Sequence, residues 1–254
     1  MTAPHSVAAI IGDLRRLGVR DGDLIMVHAS LRAVGPVRDG AEGVVRALGQ
    51  AVGSAGTVMM NLGAAETPGT PFHPLTTPAD PDCGVLAEVF RTLPGTLVSD
   101  HPDGRFGARG AWSASLLADQ PWHDYYGPGS PLDRLAAAGG RVLRLGADPD
   151  TVTLLHLSEY HADVPGKRRV SRPHLLLGPD GEAQVRVVSC LDDSDGIVDW
   201  PGEDYFAMIL GDYLAGGRAA TGTVGAAGSE LIDAADLVTY GARWMTDRFT
   251  VPPP

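Results

Sequence analysis

The chain has 254 residues, 44% of them hydrophobic, and 31 acidic against 20 basic residues leave a formal net charge of −11. That length suits one α/β domain over residues 1–254, or one domain with a small appendage, and the apolar content is enough to bury a sizeable core. The acid excess, without a basic stripe, disfavours a phosphate-binding surface for nucleic acid, and no apolar run reaches the length of a membrane span.

Residues Ser6–Leu17 repeat apolar residues at helical spacing and stop at Gly18, a C-cap residue. Leu24–His28 is short and almost wholly apolar, as in strands covered on both faces. Ala29–Gly35 follows as a small-residue loop, then a helix over Glu42–Val52 and a strand over Gly56–Asn61. Strand, helix and strand in that order imply a sheet with crossover helices.

From Leu62 to Cys83, two glycines and five prolines deny the chain regular structure, and a loop of this length is usually functional or mobile. A helix is expected over Gly84–Leu93, a strand over Thr96–Ser99, a small-residue loop over Arg105–Gly110 and a helix over Trp112–Asp119. Ser130 and Pro131 read as the N-cap and first position of a helix running to Ala138. Arg141–Gly146 is strand-like, and an acidic turn, Ala147–Asp150, leads into a helix start with Thr151 or Thr153 as cap. His156 then lies near the first turn of that helix, at the carboxyl end of a strand, where open α/β sheets place ligand chemistry. Glu159 shares its face three residues on.

Beyond it, His174–Leu177 and Gln184–Ser189 form a hairpin. The acidic stretch Leu191–Gly196 is turn-prone, Asp204–Ala215 is helical, and Ser229–Arg248 reads as one or two further helices with Trp244 and Phe249 packing. Pro252–Pro254 is a frayed tail. The N-terminus lacks the features of a signal peptide, and two cysteines, Cys83 and Cys190, make no disulfide framework, so a cytoplasmic location is expected.

By position alone, His156 reads more readily as a capping or packing histidine than as a catalytic one. A metal site from His156, Glu159 and His161 is disfavoured, because on a helix position 161 is rotated by about 500° from 156. No HExxH or paired-cysteine spacing occurs elsewhere, so no metal is expected. The glycine-rich loops match neither a Walker A loop nor GxGxxG, and no GxSxG elbow is present. An acidic balance suits a polycationic ligand, or solubility alone.

Five blocks occur in the order of one known family: Val27–Gly35, Ser99–Pro102, Gly129–Pro131, Gly140–Gly146 and Val152–Glu159, with Ala162–Arg169 continuing the series. On these the chain resembles the aminoglycoside 3-N-acetyltransferases, or antibiotic N-acetyltransferases, from about Leu14 to Thr246. The resemblance implies a mixed β-sheet flanked by helices, unlike the common acetyltransferase superfamily fold. It implies an enzyme taking acetyl-CoA and an aminoglycoside, acetylating the 3-amino group of a 2-deoxystreptamine ring by direct transfer, and conferring antibiotic resistance. Carried over by motif, Ser30, Leu31, Arg32, Ala33 and Val34 hold the CoA arm, with Ala108, Ser130 and Pro131 helping, and His156 is the general base. Asp192 or Asp193 orients the imidazole, while Glu66, Glu159 and Asp195 meet the cationic substrate. Two other readings keep different parts of this: a CoA-dependent transferase acting on another, biosynthetic amine, and a binding protein that has lost catalysis.

Overall fold

The computed structural model describes residues 3–65, 67–178 and 180–249. Its central sheet grows from apolar runs whose side chains are buried on both faces. Strand β1 (Leu24–Ala29) lies between β2 (Thr57–Asn61) and β5 (Arg141–Leu145), parallel to both. Helices α1 (Val7–Leu17) and α3 (Gly40–Val52) flank β1 in sequence; α1 is capped by Ser6 and closed by Gly18. Between β1 and α3 the residues Leu31–Val34 form a short helix, α2, instead of the expected open loop. The Ser30 hydroxyl makes the difference, accepting the Ala33 N–H at 3.3 Å.

After the long proline-rich segment come α4 (Gly84–Thr92), β3 (Leu97–Val98) and β4 (Phe106–Gly110). The expected loop over Arg105–Gly110 is therefore a strand for most of its length. It runs antiparallel to β2, pairing Asn61 with Phe106 and Met59 with Ala108. Gly107 serves close approach here: a Cβ there would lie 3.1–3.2 Å from side-chain atoms of Phe90 and Leu62. Next in order are α5 (Ser113–Leu117), α6 (Pro131–Ala137), β5 and α7 (Leu155–His161), followed by β6 (Arg169–Leu177), β7 (Ala183–Leu191) and α8 (Tyr205–Ala215). The chain ends with β8 (Ala220–Val224), β9 (Ala227–Asp233) and α9 (Ala234–Phe249).

The seven-stranded sheet has the order β3-β4-β2-β1-β5-β9-β8, and β6 and β7 pair separately as an antiparallel hairpin. This is the expected mixed sheet with helices on its faces. Strand β9 corrects the reading of Ser229–Arg248 as helical throughout, since the helix begins only at Ala234. In β9 the charge at Glu230 broke the apolar pattern; it is matched across the strands by Arg144 on β5, 2.9 Å away. Helix α9 does bury Trp244 and Phe249. Pro252–Pro254 lie outside the described residues.

Alternation along β1 separates two cores. Ile25 and Val27 pack with α1, α3 and α4, while Leu24 and Met26 pack with residues of α6 to α9. His28 continues the second series, so it points to the face that carries α7. Burying a leucine- or methionine-sized side chain contributes about 1.5–3 kcal/mol. The paired apolar faces thus fix the sheet firmly, and the carboxyl ends of β1, β2 and β5 are presented along one edge.

Candidate active site

Strand β5 ends at Leu145, and a single 3-10 turn, Pro149–Thr151, carries the chain into α7. Neither Thr151 nor Thr153 caps that helix. The Thr151 hydroxyl donates to the Asp148 carbonyl at 2.7 Å, and Thr153 Oγ1 accepts from Asn61 Nδ2 at 3.4 Å. Asn61 ends β2, so this contact ties the start of α7 to the neighbouring strand end.

His156 stands in the first turn of α7, its side chain 16% exposed. Its Nδ1 lies 2.9 Å from Oε2 of Glu159, one helical turn on and only 1% exposed. The second carboxylate oxygen, Oε1, accepts the hydroxyl of Tyr205. That phenol oxygen in turn accepts the Ile197 N–H at 3.1 Å. Lys167 Nζ, donating to the Glu159 carbonyl oxygen at 2.5 Å, fastens the end of the helix from outside. Aromatic rings fix the plane of the imidazole. Tyr126 stacks on it at 4.9 Å between centroids with 8° between planes, and Phe206 meets it edge-on at 4.8 Å.

Electrostatics follow from these contacts. Burial alone would lower the His156 pKa. The charge and hydrogen bond of Glu159 outweigh that, with Asp193 and Asp204 adding, so the pKa is raised above the ordinary 6.5. Since Nδ1 faces a carboxylate, it carries the hydrogen, and the lone pair of the neutral ring resides on Nε2. Tyr205 is pushed the other way from acidity: its burial, then the charge of Glu159, keeps the phenol protonated and donating.

His156 and Glu159 border a cavity of ≈330 Å³ whose wall also includes Asp150, Asp193, Asp195, Glu203, Asp204 and Phe206. A second, of ≈530 Å³, lies between the segment Gly63–Asp80 and the hairpin residues Arg172–Leu175. Asp193 and Ser194 line both. The surface around the imidazole is thus rich in carboxylates, which suits a ligand bearing several cations.

The expected site residues are distributed unevenly over this geometry. Glu159, expected at the substrate, is the group that orients His156. Asp192 and Asp193, expected in that orienting role, do other work. Asp192 Oδ1 accepts the N–H groups of Ser194 and Asp195 at 3.1 and 3.2 Å, a side-chain cap within the turn. Asp193 accepts Arg172 Nη1 at 2.5 Å and the Tyr125 hydroxyl. The physical reason is register: the helix brings positions 156 and 159 together, and the hairpin delivers Asp193 to Arg172 first. Asp195 is exposed at the cavity wall, and Glu66 lies outside the described residues.

Of the residues expected at CoA, Ser30–Val34 lie at the carboxyl end of β1, with Arg32 exposed, Leu31 and Ala33 half-buried and Val34 buried. Ala33 closes on the end of β5, where a Cβ at Gly146 would lie 2.5 Å from its own Cβ. Ala108, Ser130 and Pro131 are buried, and Ser130 caps α6 by accepting the Asp133 N–H at 3.2 Å. The fold accounts for these residue types: Ala108 is small enough for the sheet interior, and Ser130 is an N-cap followed by proline.

Sequence reading missed Tyr126, Tyr205, Phe206, Asn61 and His28. Asp204, an N-cap placing Tyr205 and Phe206 on the first turn of α8, was the available signal for two of them. His28 is buried with Nε2 unpartnered, and burial with the neighbouring Arg144 charge lowers its pKa to about 4. Among the described residues, no group of three or more His, Cys, Asp or Glu could hold a metal ion, and no helix is long and apolar enough to cross a membrane.

Residues 26–246 match the family model described as aminoglycoside 3-N-acetyltransferase. An aminoglycoside N(3)-acetyltransferase VII of Streptomyces paromomycinus is 42% identical, the alignment covering 96% of this chain and 93% of that one. Two solved structures superpose closely. AAC-IIIb, as a binary complex with CoASH, is 39% identical with a TM-score of 0.94, covering 99% of this chain and 100% of its own. AAC-VIa bound to sisomicin is 40% identical with a TM-score of 0.92, covering 98% and 100%. A relative this similar over nearly its full length, on the same fold and in a family whose co-substrate is acetyl-CoA, leaves one assignment: the chain belongs to the aminoglycoside 3-N-acetyltransferase family of acyltransferases.

Proposed function

We propose that this enzyme moves the acetyl group of acetyl-CoA directly to the 3-amino group of an aminoglycoside's 2-deoxystreptamine ring, with His156 as general base. The observation that carries this reading is the His156–Glu159 contact at 2.9 Å inside a cavity walled by carboxylates. An aminoglycoside amine arrives mostly as ammonium and attacks only after losing a proton. That first proton goes to solvent; as the neutral amine nitrogen bonds to the thioester carbon and the carbonyl electrons move to oxygen, neutral imidazole, with Nδ1–H given to Glu159 and Nε2 free, takes a second proton from the nitrogen. The carbon–sulfur bond then breaks, and the thiolate takes a proton from the imidazolium. Glu159 stabilises the charged ring in between, and Tyr205 holds the carboxylate in place.

The CoA arm is assigned to Ser30–Val34, where Arg32 offers an exposed cation to a phosphate. Asp193 and Asp195, with Asp150 and Glu203, receive the ammonium groups, since a cation leaving water without a paired anion is costly. Acetylation removes one positive charge from the drug, and resistance would follow.

Thiol release from acetyl-CoA, assayed with a panel of aminoglycosides and simple amines, tests the reading. Release dependent on 2-deoxystreptamine drugs, with product acetylated at the 3-amino group, is the expected result. Release driven equally by unrelated amines, or CoA binding with no turnover on any acceptor, would overturn it.

A further inference from the structure

Helix α7 is met at two points from one tight turn. Tyr126 lies in that turn and stacks on His156, 4.9 Å between centroids and 8° between planes. Asp124 opens the turn and accepts the Tyr160 hydroxyl at 3.1 Å. Positions 156 and 160 share a face of the helix, since four residues make little more than one turn. The Gly127 N–H closes the turn on the Asp124 carbonyl at 2.7 Å. Tyr125 and Tyr126 are thus its two central residues, and Asp124 sets the direction in which they leave.

Asp124 has φ of +51°, in the left-handed region where a residue other than glycine is uncommon. Its neighbours over-determine it. The Asp124 N–H donates to the Ser189 carbonyl at 3.0 Å, and Oδ1 accepts Arg169 Nη2 at 2.7 Å as well as the Tyr160 hydroxyl. The Tyr160 oxygen accepts the Leu191 N–H at 3.2 Å, and Leu191 lies opposite Arg169 in the hairpin. Little slack is left beside these contacts, because a Cβ at Gly127 would lie 2.8 Å from Tyr160 Cδ1. Helix α7, the turn and the base of the β6–β7 hairpin therefore meet at one carboxylate, which lines neither of the two cavities.

A left-handed residue held from so many sides marks a place where geometry matters. His156 can serve as base only while Nδ1 faces Glu159, and rotation of its ring would break that contact. Tyr126 lies flat against the ring and Phe206 meets it edge-on, so together they resist that rotation. We propose that Asp124 is a positioning residue: by joining Tyr160 and Arg169 it holds the turn so that Tyr126 keeps the His156 imidazole in plane with Glu159. This rests on the reading of His156 as base and deepens it. Asp124 touches no substrate, and no bond forms or breaks at it.

Asp124→Gly and Asp124→Asn separate the parts of this role. Glycine keeps the backbone conformation and removes the carboxylate, whereas asparagine tolerates the same conformation and keeps an Oδ1 for Tyr160 and Arg169. Steady-state kinetics should show kcat about 10- to 100-fold lower in Asp124→Gly, with KM for both substrates within about threefold, the scale on which a slightly misplaced group costs turnover. Asp124→Asn should keep kcat within about threefold of wild type. In a Tyr126→Leu background, which has no ring left to hold, Asp124→Gly should lower kcat no further. Tyr160→Phe breaks the same link from the helix side and should lower kcat in the same sense, which keeps the test open should Asp124→Gly fail to fold. Turnover of Asp124→Gly within about twofold of wild type, whatever its urea midpoint, would leave the carboxylate to folding alone and overturn the proposal. So would a loss in KM alone, an equal loss in Asp124→Asn, which makes charge the active property, or an undiminished loss in the Tyr126→Leu background. Failure of the underlying reading is separable: it would appear as near-normal turnover in His156→Ala, whatever Asp124→Gly does.

Discussion

The Glu159 carboxylate is shared between two partners, His156 Nδ1 at 2.9 Å on one oxygen and the Tyr205 hydroxyl on the other. Both carboxylate oxygens are thus engaged, and the side chain is almost fully buried. A buried anion in this position is stable only because its partners meet it, and it fixes which nitrogen of His156 carries the hydrogen. Glu159→Gln keeps the volume and removes the charge. We expect kcat to fall by about two orders of magnitude or more, the scale on which a misoriented general base costs an enzyme. Because Glu159 raises the His156 pKa, the variant's acidic limb of kcat/KM should move to lower pH even as its maximum drops. Profiles from pH 5 to 9 check both.

Tyr205 is a positioning residue acting through Glu159. Tyr205→Phe leaves Glu159 Oε1 and the Ile197 N–H without their partner, and each such buried group costs on the order of 1–3 kcal/mol. The urea midpoint should fall and kcat should fall with it, while KM for acetyl-CoA holds. A variant with lower stability and unaltered kcat would show that the hydroxyl serves folding alone. Gly196 bears on the same contact. It has φ of +83°, and a Cβ there would lie 2.7 Å from Tyr205 Cε1. Gly196→Ala should therefore reproduce the kinetic loss of Tyr205→Phe by displacing the ring.

Asp192 and Asp193, adjacent in sequence, should behave differently. Asp193 faces both cavities and its charge reaches His156, so Asp193→Asn should raise the aminoglycoside KM roughly ten- to a hundredfold, the scale of one charge-assisted hydrogen bond. Added salt should weaken wild-type binding and weaken this variant's less. Asp192 caps its turn, so Asp192→Asn should lower stability and leave KM within a few-fold. Equal KM effects in both variants would mean the turn works as one acidic patch.

How much of this was legible beforehand depends on the range of the interaction involved. Apolar runs and capping residues act locally, so β1, β2, β5, α1 and the placement of His156 on the first turn of α7 could be read directly. Strands β4, β8 and β9 could not. Their glycines and charges look loop-like or helical until Gly107 meets Phe90 of α4 on the sheet's face, and Glu230 meets Arg144 across the strands. The same limit governs the site. Glu159 was seen to share a face with His156, yet its role was given to Asp192 or Asp193, because nothing local reveals that Asp193 is held by Arg172 and Tyr125. Tyr126 and Tyr205 reach the imidazole from other elements, and only the fold joins them.

His28 supplies a pH-dependent stability term. Its folded pKa is about 4, depressed from 6.5 by burial and by Arg144. Between those values the unfolded chain takes up a proton that the folded chain does not, so this stability is present above pH 6.5 and is lost as pH falls towards 4. A shift of that size corresponds to about 3 kcal/mol. Urea midpoints of wild type and His28→Gln at pH 7.5 and 5 should converge as the pH drops, and parallel curves would remove His28 as a contributor.

The central claim is that His156 Nε2 takes the proton from the attacking amine. Steady-state turnover of purified His156→Ala with acetyl-CoA and an aminoglycoside tests it most directly, with CoA affinity measured on the same sample. The account requires kcat to fall by about 10²- to 10⁴-fold while CoA binds as in wild type. Turnover within a few-fold of wild type would contradict it, and the proton would then leave the amine by another route.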